Sequence, residues 1–144
     1  MTDVLTKKQR SFNMSSIRAK NTKPELIVRS VLSKLGFRYR LHKKLLPGNP
    51  DIVFLKHKKV IFVNGCYWHM HKCKYGKVIP KTNSRFWKDK RLSNKKRDKI
   101  NYAALKKIGW KKLIVWECET KNNIKKLTRK IDDYLEIKSD ANRN

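Results

Sequence analysis

Three short apolar runs, Ile52-Val53-Phe54-Leu55, Val60-Ile61-Phe62-Val63 and Leu113-Ile114-Val115-Trp116, set the limits on how this chain can fold. They stand in a sequence of 38 Lys and Arg against 11 Asp and Glu, a net charge of +27. Such runs, rich in β-branched and aromatic residues and bounded by charged or turn residues, read as buried strands. Lys56-His57-Lys58-Lys59 joins the first two as the turn of a tight hairpin. A sheet of buried strands has to be covered, so the segments around them are expected to be amphipathic helices.

The flanking sequence supplies them. Thr22-Lys23-Pro24-Glu25 is a helix start: Thr22 can cap, Pro24 suits the first turn, and Glu25 lies where a capping box places its acid. Ile27, Val31, Leu32 and Leu35 follow at helical spacing, and Gly36 ends the element. Phe37, Tyr39 and Leu41 alternate with Arg38 and Arg40, which is strand periodicity. Pro47-Gly48-Asn49-Pro50 forces a turn. Residues 85–108 read as a helix with an imperfect apolar face of Phe86, Leu92, Ile100, Leu105 and Ile108, stopped by Gly109. Ile124, Leu127, Ile131, Tyr134 and Leu135 mark a final amphipathic helix. The order α-β-β-β-α-β-α predicts an α/β sandwich with a central mixed sheet, the layout of the restriction-endonuclease-like core. Fold alone assigns no activity.

At 144 residues the chain has length for one domain. Residues 1–21, polar and basic, read as an arm that orders on nucleic acid; 22–137 form the domain, and 138–144 a frayed tail. So strong a positive field implies a polyanionic partner, and nucleic acid leads. No apolar run approaches the roughly 18 residues of a membrane span, and the start carries no hydrophobic signal region, so a cytoplasmic protein away from membranes is expected, and a monomer because a small single domain has no need to dimerise. Three cysteines suit metal binding better than a disulfide framework. A ribosomal or nucleoid protein that only neutralises phosphates shares this footprint, so composition does not separate it from an enzyme.

Chemistry concentrates in Cys66-Tyr67-Trp68-His69-Met70-His71-Lys72-Cys73. Cys66, His71 and Cys73 can converge in one loop, with Cys118 arriving at the end of the last strand, which satisfies a structural Zn2+. The alternative is buried cysteines without metal. Asp51 opens a buried strand and can hold Mg2+ near a phosphate, with a backbone carbonyl near Val63 as a further ligand. The plainer reading of Asp51 is a turn residue bonding its own backbone. Glu25 likewise completes a capping box, with or without a place beside the sheet edge. His69 can take the proton from an attacking water, or be a zinc ligand or its neighbour. Tyr67 and Trp68, with Phe86-Trp87 among basic residues, can insert between base steps; core packing is the better reading for Phe86 and an equal one for Trp68.

Five motifs together tie the chain to a known family: Arg10-Ser11-Phe12-Asn13-Met14, Leu46-Pro47-Gly48-Asn49-Pro50-Asp51, Val63-Asn64-Gly65-Cys66-Tyr67-Trp68-His69, Phe86-Trp87 and Ile114-Val115-Trp116-Glu117-Cys118. Over roughly residues 10–136 the chain resembles the very short patch repair (Vsr) endonucleases, strand-specific nickases of T:G mismatches. The resemblance implies a Mg2+-dependent cut 5′ of the mismatched thymine left by deamination of 5-methylcytosine. It makes Asp51 the metal ligand, His69 the general base and Glu25 an orienter of metal-bound water, and it puts Asp98 near the site. It gives Cys66, His71, Cys73 and Cys118 to zinc, and Tyr67, Trp68 and Trp87 to intercalation, with Tyr67 replacing the more usual Phe. Where related nucleases carry an acid and a lysine this chain has Phe62-Val63-Asn64, as the family does. Asn64 stands where some members have a second catalytic histidine, and is expected to position phosphate or water while His69 alone moves the proton. The competing expectations are a zinc-stabilised DNA-binding protein without catalysis and a restriction enzyme of related fold.

Overall fold

A computed structural model describes residues 21–42, 46–78 and 81–142, without the side chains of 137–142. The Arg10–Met14 motif and most of the basic arm lie outside the described residues. The elements run α1 (Lys23–Leu35), β1 (Arg40–Leu41), β2 (Ile52–Phe54), β3 (Lys59–Asn64), α2 (Ser84–Lys107), β4 (Lys111–Trp116), α3 (Glu117–Asn122) and α4 (Ile124–Asn142).

The four strands form one mixed sheet in the order β1-β2-β3-β4. β1 and β2 pair antiparallel, as do β2 and β3; β4 joins β3 in parallel, from Lys59↔Lys111 to Asn64↔Trp116. Strand alternation divides the core in two. Ile52, Phe54, Ile61 and Val115 face α1 and α4 through Val28, Val31, Leu32, Leu127, Ile131 and Leu135. On the other face Val53, Val60 and Phe62 pack on Leu105 of α2, with Tyr102, Trp110 and Ile114 around them. The fold is therefore α/β, with helices on both faces of a mixed sheet.

α1 begins and ends as its sequence dictates. Thr22 is extended and its Oγ1 accepts the Glu25 N–H at 3.4 Å. At the far end Gly36 adopts φ 82°, and the N–H groups of Gly36 and Phe37 reach the carbonyls of Ser33 and Leu32, both at 3.1 Å. That is a Schellman close, which needs a left-handed residue. Glu25 does not complete the expected capping box with its side chain. Its carboxylate turns inward to His42 instead.

Four expectations need correction. β1 is confined to Arg40–Leu41, paired with Val53 and Ile52, and the alternating residues before it from Phe37 onward are not strand. Lys59 is not a turn residue but opens β3; it is buried, and its Nζ donates to the Tyr134 carbonyl at 2.5 Å. Phe86, Leu92, Ile100 and Ile108 do not form the inner face of α2: all are exposed, and the buried residues of that helix are Arg91, Asn94 and Leu105. Between β4 and α4 stands a further short helix, α3, whose Glu119 reaches back to the Trp116 N–H at 3.0 Å.

Ile131 joins α4 to the sheet and is fully buried. Ile131→Ala is expected to cost about 2–5 kcal/mol, read in urea unfolding as a lower midpoint at unchanged slope.

Candidate active site and metal centre

The parallel β3–β4 pair ends at Asn64 and Trp116, so the segments that follow both strands leave the sheet at the same edge. After β3 the chain enters Gly65-Cys66; after β4 it enters Glu117-Cys118. Two local bonds join the exits: the Cys66 N–H donates to Glu117 Oε1 at 3.4 Å, and the Cys118 N–H to Cys66 Sγ at 3.3 Å.

This junction brings Cys66, His71, Cys73 and Cys118 together, with their donor atoms all within 4.8 Å of one another. Cys118 Sγ lies 3.6 Å from His71 Nδ1. A sulfur and a nitrogen sharing a tetrahedral zinc stand about 3.6 Å apart, from ordinary bond lengths, so the donor set fits such an ion. The thiols are electrostatically divided. Burial pushes Cys66 up to about 12 and also raises Cys118. Burial opposes ionisation of Cys73 too, but hydrogen bonds from the Gly76 N–H, His71, Cys66 and the Tyr75 N–H outweigh it and bring its pKa down to about 6. A cation would draw all three to thiolates.

The loop around these residues is fastened from α2. Arg91 is buried, and its guanidinium donates to the carbonyls of Tyr67 at 2.7 Å, Val78 at 3.5 Å and Gly76, while lying 4.3 Å from the Tyr67 ring centre. Asn94 donates to the Trp68 carbonyl at 3.2 Å. Gly76 is buried so close to the His71 and Cys66 carbonyls that a Cβ there would overlap both. His71 stacks on Trp116, ring centres 4.1 Å apart and planes 14° from parallel.

The second cluster gathers Glu25, His42 and Asp51, again with donor atoms within 4.8 Å of one another. His42 Nε2 lies 3.0 and 3.1 Å from the two Glu25 oxygens. Arg29 holds the outer one at 3.3 Å. Asp51 Oδ2 accepts the Val63 N–H at 2.7 Å, tying the cluster to the end of β3. Burial raises the Asp51 pKa to about 6; the Val63 bond opposes this, Glu25 adds to it, and His42 and His69 oppose it.

His69 Nδ1 meets Asp98 Oδ2 of α2 at 2.5 Å. Donation of the Nδ1 proton to that carboxylate leaves Nε2 as the free base nitrogen. His69, Asp98, Val63, Gly65, Tyr67, Trp68 and Asn94 share one cleft of about 1010 Å³. Trp68 lies between the other two rings of the expected wedge: 5.1 Å from Tyr67 and 5.5 Å from Trp87 by ring centres. Phe86, expected in the core, is 57% exposed beside Trp87.

The structure thus brings together Cys66, His71, Cys73 and Cys118 in one group, Asp51 and Glu25 in another, His69 with Asp98 in a third, and Tyr67, Trp68 and Trp87 in a fourth. Asn64 stands apart: it is 5% exposed and its side-chain N–H donates to the Tyr102 hydroxyl at 3.0 Å. Burial raises the Tyr102 pKa to about 12, with Asp98 and Asp51 adding to the rise. Sequence reasoning missed His42, Arg91, Asn94 and Tyr102. For the last three a signal existed: Arg91, Asn94, Asp98 and Tyr102 recur every three or four residues, one polar stripe along α2.

Carboxylates and an imidazole collected at one edge of the sheet, within a chain of net charge +27, suit metal-assisted chemistry on a polyanion. A profile of the family described as DNA mismatch endonuclease Vsr matches residues 2–75. The chain is 47% identical over 141 residues to the type II nicking enzyme V.NmeAIP of Neisseria meningitidis serogroup A, spanning 94% of this chain and 100% of that one. It is 47% identical over 119 residues to the type II nicking enzyme V.XorIIP of Xanthomonas oryzae pv. oryzae, 83% of this chain and 87% of the relative. To the DNA mismatch endonuclease Vsr of Escherichia coli it is 38% identical over 139 residues, 94% and 88% of the two chains. The chain belongs to the DNA mismatch endonuclease Vsr family.

A carboxyl whose pKa is higher in the folded state stabilises the fold while protonated, so stability is lost as pH rises. For Asp51 the window runs from the ordinary 3.8 to about 6, and the cost above it is about 3 kcal/mol. Without added divalent ion, Asp51→Asn is expected to unfold at higher urea than the wild type at pH 7.5, the difference closing toward pH 4.

Proposed function

We propose that this endonuclease nicks duplex DNA 5′ of the thymine in T:G mispairs, the lesion left by deamination of 5-methylcytosine. The observation that carries the reading is the shared cleft, where His69, oriented by Asp98, stands beside Val63 with its bond to Asp51, and beside the aromatic group of Tyr67 and Trp68. A protein that only binds DNA has no use for a base imidazole set in this way. The mixed sheet covered on both faces supports a restriction-endonuclease-like core.

The roles divide by residue. Mg2+, when bound, neutralises charge on the phosphate and lowers the pKa of water. Asp51, the carbonyl of Val63 and, through water, Glu25 are the groups to hold it. His69 Nε2 takes the proton of the attacking water, and Asp98 stabilises the imidazolium that results. Tyr67, Trp68 and Trp87 unstack the bases at the mismatch, as wedge side chains do in DNA-bending proteins. Asn64 acts from behind, through its bond to Tyr102, in fixing the end of β3; contact with phosphate or water requires that bond to open. Cys66, His71, Cys73 and Cys118 hold a structural Zn2+ that fixes the loop bearing both wedge and base. The protein works as a cytoplasmic monomer, with the segment 1–21 as an arm on DNA and 22–137 as the catalytic domain.

The test is a labelled T:G duplex with Mg2+ or EDTA, beside a T:A control. Wild type is expected to nick only the T:G strand, and only with metal. Asp51→Ala should abolish nicking, and His69→Ala should slow it about 10²–10⁴-fold, both with DNA binding retained. Equal binding without nicking by wild type would make the protein a binding module, and cleavage of T:A a restriction enzyme.

A further inference from the structure

Of the Glu25–His42–Asp51 cluster, the roles above leave His42 unused. It directly follows β1, yet its side chain is only 16% exposed and points at the carboxylate cluster. Its backbone is left-handed, φ 50°, and its N–H donates to the Asp51 carbonyl at 3.1 Å, so one residue is tied to Asp51 through the main chain and to Glu25 through the ring. Two spacings matter. Nε2 stands 3.0 and 3.1 Å from the Glu25 oxygens, and all three side chains keep a donor atom within 4.8 Å of the others. Neighbouring ligands on an octahedral divalent ion, with bonds of about 2.1 Å, are about 3.0 Å apart. Asp51 contributes from the strand side, because only its Oδ2 is engaged by the Val63 N–H.

We infer that His42 is a direct nitrogen ligand of the divalent ion in the active site, completing with Asp51, and with Glu25 in direct rather than water-mediated contact, a donor set that takes Mn2+ more tightly than Mg2+. The inference rests on the metal-dependent nuclease reading above and deepens it. Two carboxylates alone suit Mg2+, which prefers oxygen and keeps its waters. First-row divalent ions accept an imidazole more readily than Mg2+, and their affinity for a mixed nitrogen and oxygen site rises from Mn2+ onward. The cysteine-rich site does not compete, because thiolates select zinc and other soft ions.

Mn2+ titration of the full-length protein with its zinc retained, followed by electron paramagnetic resonance, tests this without any cleavage assay. The wild type is expected to bind one Mn2+ with 14N modulation in the pulsed spectrum. His42→Gln should lose that modulation and weaken Mn2+ binding by at least about tenfold, the loss that even an outer-shell partner causes. His69→Gln should keep the modulation. His42→Asn serves as a second variant, and circular dichroism checks that each is folded. Bound Mn2+ without nitrogen coupling in wild type, or coupling that survives His42→Gln and disappears in His69→Gln, overturns the role of His42 and leaves the nuclease reading intact. Absence of Mn2+ binding together with absence of metal-dependent nicking overturns both.

Discussion

Parallel pairing of β3 with β4 is the constraint on which the rest depends. Antiparallel neighbours send successive connections to opposite edges; parallel ones release both at the same edge. Here Asn64 and Trp116 end side by side, so Cys66 and Cys118, far apart in sequence, start their loops as neighbours. The general tendency of ligand sites in α/β sheets to lie beyond the carboxyl ends of strands has the same origin. The thiol–imidazole cluster, the Val63–Asp51 bond and the cleft with His69 all follow from that edge.

Charge then decides what each group can do. Against the general positive field, Glu25, Asp51 and Asp98 are kept where cations of the chain do not cancel them all. Glu25 is held by Arg29 and His42, Asp98 by His69, and Asp51 by a backbone N–H. Burial and the neighbouring Glu25 make Asp51 costly to ionise, with the Val63 bond only partly offsetting this. A divalent ion bound there would relieve that cost, and the basic exterior would draw phosphate toward it. The same logic governs the thiols, where one low and two high pKa values describe a cluster short of positive charge.

Much of this was legible in the sequence, and the rest was hidden for physical reasons. The apolar runs showed the strands because burial leaves no polar alternation to misread, and Thr22 and Gly36 marked the ends of α1 through backbone groups that any helix must satisfy. The inward stripe of α2 is polar: Arg91 and Asn94 are buried to bind loop carbonyls, so hydrophobic spacing points instead to the exposed Phe86 and Ile100. Lys59 was hidden likewise, since its burial depends on a carbonyl of Tyr134, distant in the chain. His42 belongs to no motif, and its main-chain bond to Asp51 and ring contact with Glu25 are tertiary. The hydrogen bond of Asn64 to Tyr102 is a tertiary fact that spacing does not reveal.

The central claim is that His69 acts as the base because Asp98 fixes its ring beside the groups proposed to hold the divalent ion. A double-variant cycle on single-turnover T:G nicking tests it most directly, using His69→Ala, Asp98→Asn and the pair. If the two residues work as one unit, the double variant should nick no more slowly than His69→Ala alone. Losses that multiply would mean that Asp98 serves a separate function, and the account of the base would be wrong.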